Sequence, residues 1–251
     1  MKKLNFIIKC GLALLLLSFY SCESWLNVTP SDRLSEEMLF NDREGFVKAL
    51  NGVYIELNTN ELYGRNLTAG ALDVMGQYYS VASSSHAFYN YGGLVYTGND
   101  EKALFDNMWQ KCYAVIACCN TIIEKCDENK AGLSPVWRGS IKGEALALRA
   151  MLHFDMLRLF GPLTSELDKE SIPYQTNSDQ TVTPLLSGSE VVGLILDDLK
   201  NAVGLLKDTD PYFVEEEFSD TDLNYRRFRM NYFAAKGLMA RVQLWGGDKE
   251  K

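Results

Sequence analysis

Gly143-Glu144-Ala145-Leu146-Ala147-Leu148-Arg149-Ala150, running on through Phe154 to Leu159-Phe160-Gly161-Pro162, decides how the rest of the chain is read. Ala, Leu, Glu and Arg are strong helix formers, and Gly-Pro is a helix stop. Followed backwards, this helix begins at about Val136 or Ser140. Helical texture precedes it at about Leu104–Cys126, and another helix follows at about Gly188–Leu206 with Ser189 and Glu190 at its start. In that helix Val191, Leu194, Ile195, Leu199 and Ala202 form an apolar stripe opposite Asp197, Asp198 and Lys200. A last helix spans about Phe228–Trp245 and ends at Gly246-Gly247. Towards the N-terminus a helix reads from Ser35 to Leu57, with Ser35 as N-cap and Glu36 and Glu37 in its first turn. Residues 58–105 show no such stripe and hold six glycines, a serine run and many tyrosines. They read as a long irregular insertion. Loops fill 161–187 and 207–225. No segment alternates long enough to carry a sheet, so the class is all-α with long irregular loop insertions.

The helices come in pairs. Ala150, Phe154 and Pro162 match the spacing of the second helix of a tetratricopeptide repeat. The linkers are longer than a regular 34-residue unit allows, so tetratricopeptide-like helical hairpins with inserted loops fit and regular repeats do not.

The N-terminus adds a second theme. Lys2, Lys3 and Lys9 lead into an apolar run from Cys10 to Tyr20, followed by Ser21-Cys22. That is a secretory signal with a cysteine at the first mature position. The run is too short for the roughly 20 residues of a transmembrane helix. Residues 1–21 therefore read as a lipoprotein signal peptide, Cys22 as the site that takes a lipid, residues 22–34 as a tether, and residues 35–251 as one helical domain. Residues 1–21 hold three lysines and no acid, so their removal moves the net charge from -8 to -11. A chain this acidic, with no basic cluster, argues against nucleic acid as a partner. It also argues against attachment through anionic lipid headgroups. Cys112, Cys119 and Cys126 recur every seven residues on one helix, about 10.5 Å apart. Consecutive members are too far apart to pair within it, and with Cys118 they read as free, packed thiols. Neither His86 nor His153 lies near enough in sequence to complete a zinc site.

At this point the chain resembles the SusD/RagB family of nutrient-binding outer-membrane lipoproteins. Cys22 followed by Trp25-Leu26-Asn27-Val28-Thr29-Pro30 is similar to the family's acylated opening. Trp109 with Asn120 and Ile123, the Gly143–Pro162 stretch, Val191–Ala202 with Asp198-Leu199, and Asn231 with Ala234-Ala235 through Val242 resemble its later motifs in order. The resemblance implies a helical scaffold without catalysis and without a cofactor. It implies an oligosaccharide or other nutrient ligand, passed to a SusC-like TonB-dependent transporter. It also implies location at the cell outer membrane through the lipid on Cys22. Residues 35–251 would then be the N-terminal helical part of a longer family architecture.

Within the insertion, Tyr78, Tyr79, Tyr89 and Tyr91 stand among amides and hydroxyls. Flat rings beside polar groups suit the C–H faces and hydroxyls of sugars. The competing role is to pin the loop to the helices as local core, and half the rings of this loop would serve it. Asp220-Thr221-Asp222-Leu223-Asn224 starts like a calcium loop but has Tyr225 where glycine is needed and Asn231 at the twelfth position. It reads as a solvated acidic loop. His153 reads as a packed, hydrogen-bonded histidine, and Glu144 and Arg149 as residues that tie helix pairs together. No paired acid and base and no nucleophile motif stands out. A helical-repeat envelope scaffold that binds only protein is the rival reading. Exposed rings in a concave patch favour glycan capture, and buried rings beside an exposed apolar groove favour the scaffold.

Overall fold

Helix pairs packed side by side make up the molecule, and their order follows the apolar stripes. The structure, a computed structural model, describes residues 36–179, 181–219 and 225–247. Residues up to Met38 group apart from the rest, and of them only Glu36–Met38, in a helical turn running to Leu39, are described. The signal peptide, Cys22, the tether, Ser35 and the Asp220–Asn224 run all lie outside the described residues. From Leu39 onwards the helices are α1 (Arg43–Leu57), the short α2 (Ala71–Met75) and α3 (Tyr89–Gly92), α4 (Asn99–Glu128), α5 (Pro135–Phe160), α6 (Gly188–Thr209) and α7 (Tyr232–Trp245). Two strands, β1 (Glu170–Pro173) and β2 (Leu185–Ser187), lie between α5 and α6. The fold is all-α with tetratricopeptide-like hairpins, as expected.

α5 is the centre. It packs against α6 on one side and α4 on the other, while α1 covers α4 and α7 covers α6. Each neighbour presents one stripe at helical spacing. On α1 it is Phe46, Leu50, Val53 and Leu57. On α4 it is Met108, Cys112, Val115, Cys119, Ile122 and Cys126, so three of the four cysteines fill core positions and all four are free thiols. α5 is buried on all sides over its middle, Gly143–Ala150, where glycine and alanine stand among larger residues. Gly143 shows why: a Cβ there would sit 2.8 Å from Leu206 Cγ of α6, closer than packed carbon atoms approach.

Helix ends follow local chemistry. Ser134 caps α5 by accepting from the Trp137 amide at 3.3 Å, with Pro135 in the first turn. Ser187 and Glu190 form a capping box on α6. Three boundaries differ from the sequence reading. The first helix is broken at Leu39 and restarts at Arg43, because Asp42 caps it by accepting from the Gly45 amide at 2.8 Å. α4 begins at Asn99, a turn before its apolar stripe starts. α7 begins at Tyr232, because Asn231 caps it by accepting from the Ala234 amide at 2.9 Å. The two-stranded antiparallel sheet was not foreseen. Glu170 pairs with Ser187 and Pro173 with Leu185, with an irregularity between them, and strands this short show no period.

The insertion has two parts. Residues 58–70 wind through overlapping turns, such as Gly70 N to Arg65 O at 2.7 Å, and drive Leu62 and Leu67 into the main core. Residues 71–98 carry α2 and α3 around a small core of their own, made of Ala71, Val74 and Tyr91.

Candidate functional site

The rings of the insertion divide by helix geometry. Residues two apart on a helix point to opposite faces. On α3, Tyr89 therefore faces out at 42% exposure while Tyr91 faces in at 2%. Tyr91 packs with Phe88 at 5.8 Å and Phe105 at 6.0 Å. Its hydroxyl donates to the Asp100 carbonyl at 3.5 Å, and burial, then the Glu101 and Asp100 carboxylates, push its pKa up to about 12. Tyr91 is thus a core ring and not a ligand-facing one, which corrects its inclusion among the platform tyrosines. Tyr78 and Tyr79 are exposed, at 80% and 54%.

Tyr79 and Tyr89 flank one cleft of about 430 Å³, whose walls also carry Gln77, Ser80, Asn90 and the backbone of Gly92 and Gly93. Tyr78 lies outside it, against Gly76. Two amides brace the walls. Gln77, in the left-handed region at φ 61°, donates through Nε2 to the Gly92 carbonyl at 3.0 Å and to the Val74 carbonyl at 3.4 Å. Asn90 donates through Nδ2 to Glu101 Oε1 at 2.8 Å, and Glu101 is buried in the first turn of α4. The cleft is within the size range of small-ligand sites.

A second cleft, of about 440 Å³, lies between α1, α5 and the loop before α7, with Tyr54, Trp137, Glu144, Arg226, Phe228 and Arg229 among its walls. Its charges satisfy one another. Glu144 accepts from the Tyr54 hydroxyl, from Arg226 and from Arg229 Nε. Arg226 also holds Asp210 in a two-pronged pair, at 3.0 and 2.6 Å. Burial alone would lower the pKa of Arg226, and the Glu144 charge and the Asp210 bonds outweigh it and hold the guanidinium above its usual value. Arg226 and Arg229 stand 82 and 85 residues beyond Glu144, and nothing in that spacing announces the partnership.

A third polar cluster ties α4, α5 and α6. Arg149 donates to both Asp198 oxygens at 2.7 Å and to Asn120 Oδ1 at 2.9 Å. The Tyr174 hydroxyl donates to Asp198 at 2.6 Å, and Asn120 Nδ2 donates to the Asn177 carbonyl at 2.9 Å. Burial, then the Asp198 charge, hold the Tyr174 hydroxyl well above its usual pKa. His153 is stacked on Tyr174 with ring centres 3.9 Å apart. It accepts at Nε2 from the Gln175 amide at 3.0 Å, so Nδ1 carries the proton shared with the Arg149 carbonyl, also at 3.0 Å. Burial lowers its pKa to about 3. The packed histidine and the helix-tying roles of Glu144 and Arg149 stand as expected, each through partners other than the other. Among the described residues no group of His, Cys, Asp and Glu is placed to hold a metal ion.

Residues 24–244 match the model of a family described as SusD-like, starch-binding and associating with the outer membrane. The chain belongs to the SusD-like family. It is 27% identical over 199 residues to a SusD-like protein, P38, of Formosa agariphila, covering 72% of this chain and 34% of that protein. It is 30% identical over 146 residues to a SusD-like protein of Bacteroides ovatus, covering 57% and 23%. Among solved structures, a SusD-like carbohydrate-binding protein from Bacteroides vulgatus superposes with a TM-score of 0.64 at 23% identity, over 82% of this chain and 42% of that one. A laminarin-binding SusD-like protein superposes with a TM-score of 0.59 at 16% identity, over 82% and 41%. This SusD-like chain thus spans less than half the length of these relatives. Its polar motif residues, Asn120, Glu144, Arg149, Asp198 and Asn231, are all buried in the polar clusters or at a helix cap. The polar residues that carry the resemblance therefore build the helical frame, and the exposed rings lie elsewhere, in the insertion.

Proposed function

We propose that this chain is the helical part of a surface glycan-capture protein, binding oligosaccharide without catalysis. The observation that supports this most directly is the pair of exposed rings, Tyr79 and Tyr89, facing one cleft on a frame of the SusD-like family. A sugar ring held between them would place its C–H faces on the aromatics and its hydroxyls on amide groups. Exposed rings in a concave patch are also what separates glycan capture from a protein-only scaffold. The carbohydrate-binding and laminarin-binding relatives make laminarin and starch suitable first probes. Within this proposal Cys22 carries the lipid that holds the protein at the outer membrane, and the bound glycan passes to a SusC-like TonB-dependent transporter.

The cleft is tested by affinity electrophoresis in gels containing laminarin or starch. Retardation of the wild type, lost in Tyr79→Ala and Tyr89→Ala with thermal midpoints unchanged, is the expected result. Retardation that survives both substitutions refutes the assignment. Anchoring is tested separately: Cys22→Ala should release the protein from membranes, and its fractionation with them at wild-type level would refute lipidation.

A further inference from the structure

The hydrogen-bonding state of the cleft selects among glycans. Both amides in its walls are tied to the protein through their NH2 groups: Gln77 gives both N–H bonds, to the Gly92 and Val74 carbonyls, and Asn90 gives one, to the Glu101 carboxylate. Each geometry admits only the NH2 end of the amide, because carbonyl and carboxylate oxygens have no proton to give. Gln77 keeps its carbonyl oxygen Oε1 for a ligand, and Asn90 keeps Oδ1 and one N–H; with the hydroxyls of Ser80, Tyr79 and Tyr89 these are all uncharged groups. No Lys or Arg lines the cleft. The nearby guanidinium of Arg65 sits over Phe88 at 5.8 Å, with its Nε given to Asn66 Oδ1 at 3.1 Å. Behind Asn90 lies the Glu101 carboxylate itself.

A wall of uncharged donors and acceptors backed by a carboxylate suits hydroxyl groups, which can both donate and accept. A uronate or a sulfate ester accepts only, so it would leave its hydration shell and find no charged donor to replace it. We infer that the Tyr79–Tyr89 cleft takes neutral, hydroxyl-rich glycans and rejects those carrying uronate or sulfate groups. This rests on the glycan-capture reading above and narrows its ligand class.

The 251-residue chain is run in affinity gels containing laminarin, starch or mannan on one side and alginate, polygalacturonate or carrageenan on the other. Each gel is repeated in 0.5 M salt, where the Debye length falls to roughly 4 Å and the chain's overall negative charge is screened. The expected result is retardation by at least one neutral polymer and at least about fivefold weaker retardation by every anionic one, at both ionic strengths. Ser80→Lys, which places a charged donor on the rim, should bring in anionic polymers. Anionic polymers that retard the wild type as strongly as neutral ones, with the effect lost in Tyr89→Ala, would overturn this inference and leave glycan capture standing. A wild type retarded by no polymer of either class would overturn glycan capture itself, and the inference with it.

Discussion

Asp198 is the place to test whether the polar clusters hold the frame together. It accepts two bonds from Arg149 and one from Tyr174, all between buried side chains. Asp198→Ala leaves the guanidinium without its counterion, at about 3–5 kcal/mol for breaking a buried pair. It also leaves the Tyr174 hydroxyl unpaired, at about 1–3 kcal/mol more. The sum of about 4–8 kcal/mol is comparable with the whole stability of many domains, about 5–15 kcal/mol. Asp198→Asn, which keeps the shape and one acceptor oxygen, supplies a milder step in the same direction. The assay is urea unfolding followed by tryptophan fluorescence, since Trp109, Trp137 and Trp245 all lie in or against the core. A double-mutant cycle with Arg149→Leu completes it. Once the cation is gone, losing Asp198 should cost less, giving a coupling of about 1–3 kcal/mol. A cost below about 1 kcal/mol for Asp198→Ala, or strict additivity in the cycle, would refute the account of the family motif as a polar lock.

Acid should weaken the fold partly through His153. Its pKa falls from 6.5 when unfolded to about 3 in the folded chain, so between those values the unfolded state binds the extra proton. Stability is present above pH 6.5 and is lost as pH falls towards 3, by roughly 5 kcal/mol at most from this residue. His153→Gln should flatten the pH dependence of the urea midpoint in that window, and an unchanged slope would count against it. Tyr91→Ala should cost about 3–5 kcal/mol while Tyr89→Ala leaves the melting midpoint within a degree or two of wild type, and equal effects of the two would contradict the in-and-out division of α3. A chain beginning at residue 23 should titrate four thiols when unfolded without reductant. In the native state Cys118, the exposed one, should react first, and a count below four would show a disulfide.

The long helices were legible because their stripes, caps and stops are local. Gly161-Pro162 and Gly246-Gly247 end α5 and α7 where expected, and the cysteine row of α4 is a core stripe. The misplaced boundaries share one cause. The first turn of α4 carries Asp100, Glu101 and Lys102, so a search for apolar period starts one turn late, although Glu101 is buried there. Likewise Asp42 interrupts a continuous apolar pattern through a backbone bond that composition does not reveal. The aromatic loop was legible as a group and not residue by residue, since sorting Tyr89 from Tyr91 requires knowing that residues 89–92 form a helical turn. Of the Arg226 cluster only Glu144 was legible, as a residue tying helices, because its partners meet only after α5 and the loop before α7 have packed.

Residues 71–98 fold partly on themselves and partly on the first turns of α4. Gln77 reaches back to Gly92, the segment has its own small core, and its two ends, Gly70 and Asn99, are fixed by neighbouring structure. A segment of this kind can lengthen at little thermodynamic cost, since each doubling of a loop adds only about 0.6 kcal/mol of closure entropy. Its surface residues can also change without disturbing the buried polar clusters of the long helices. The face that the insertion turns to solvent can then change while the packing of the long helices stays as it is.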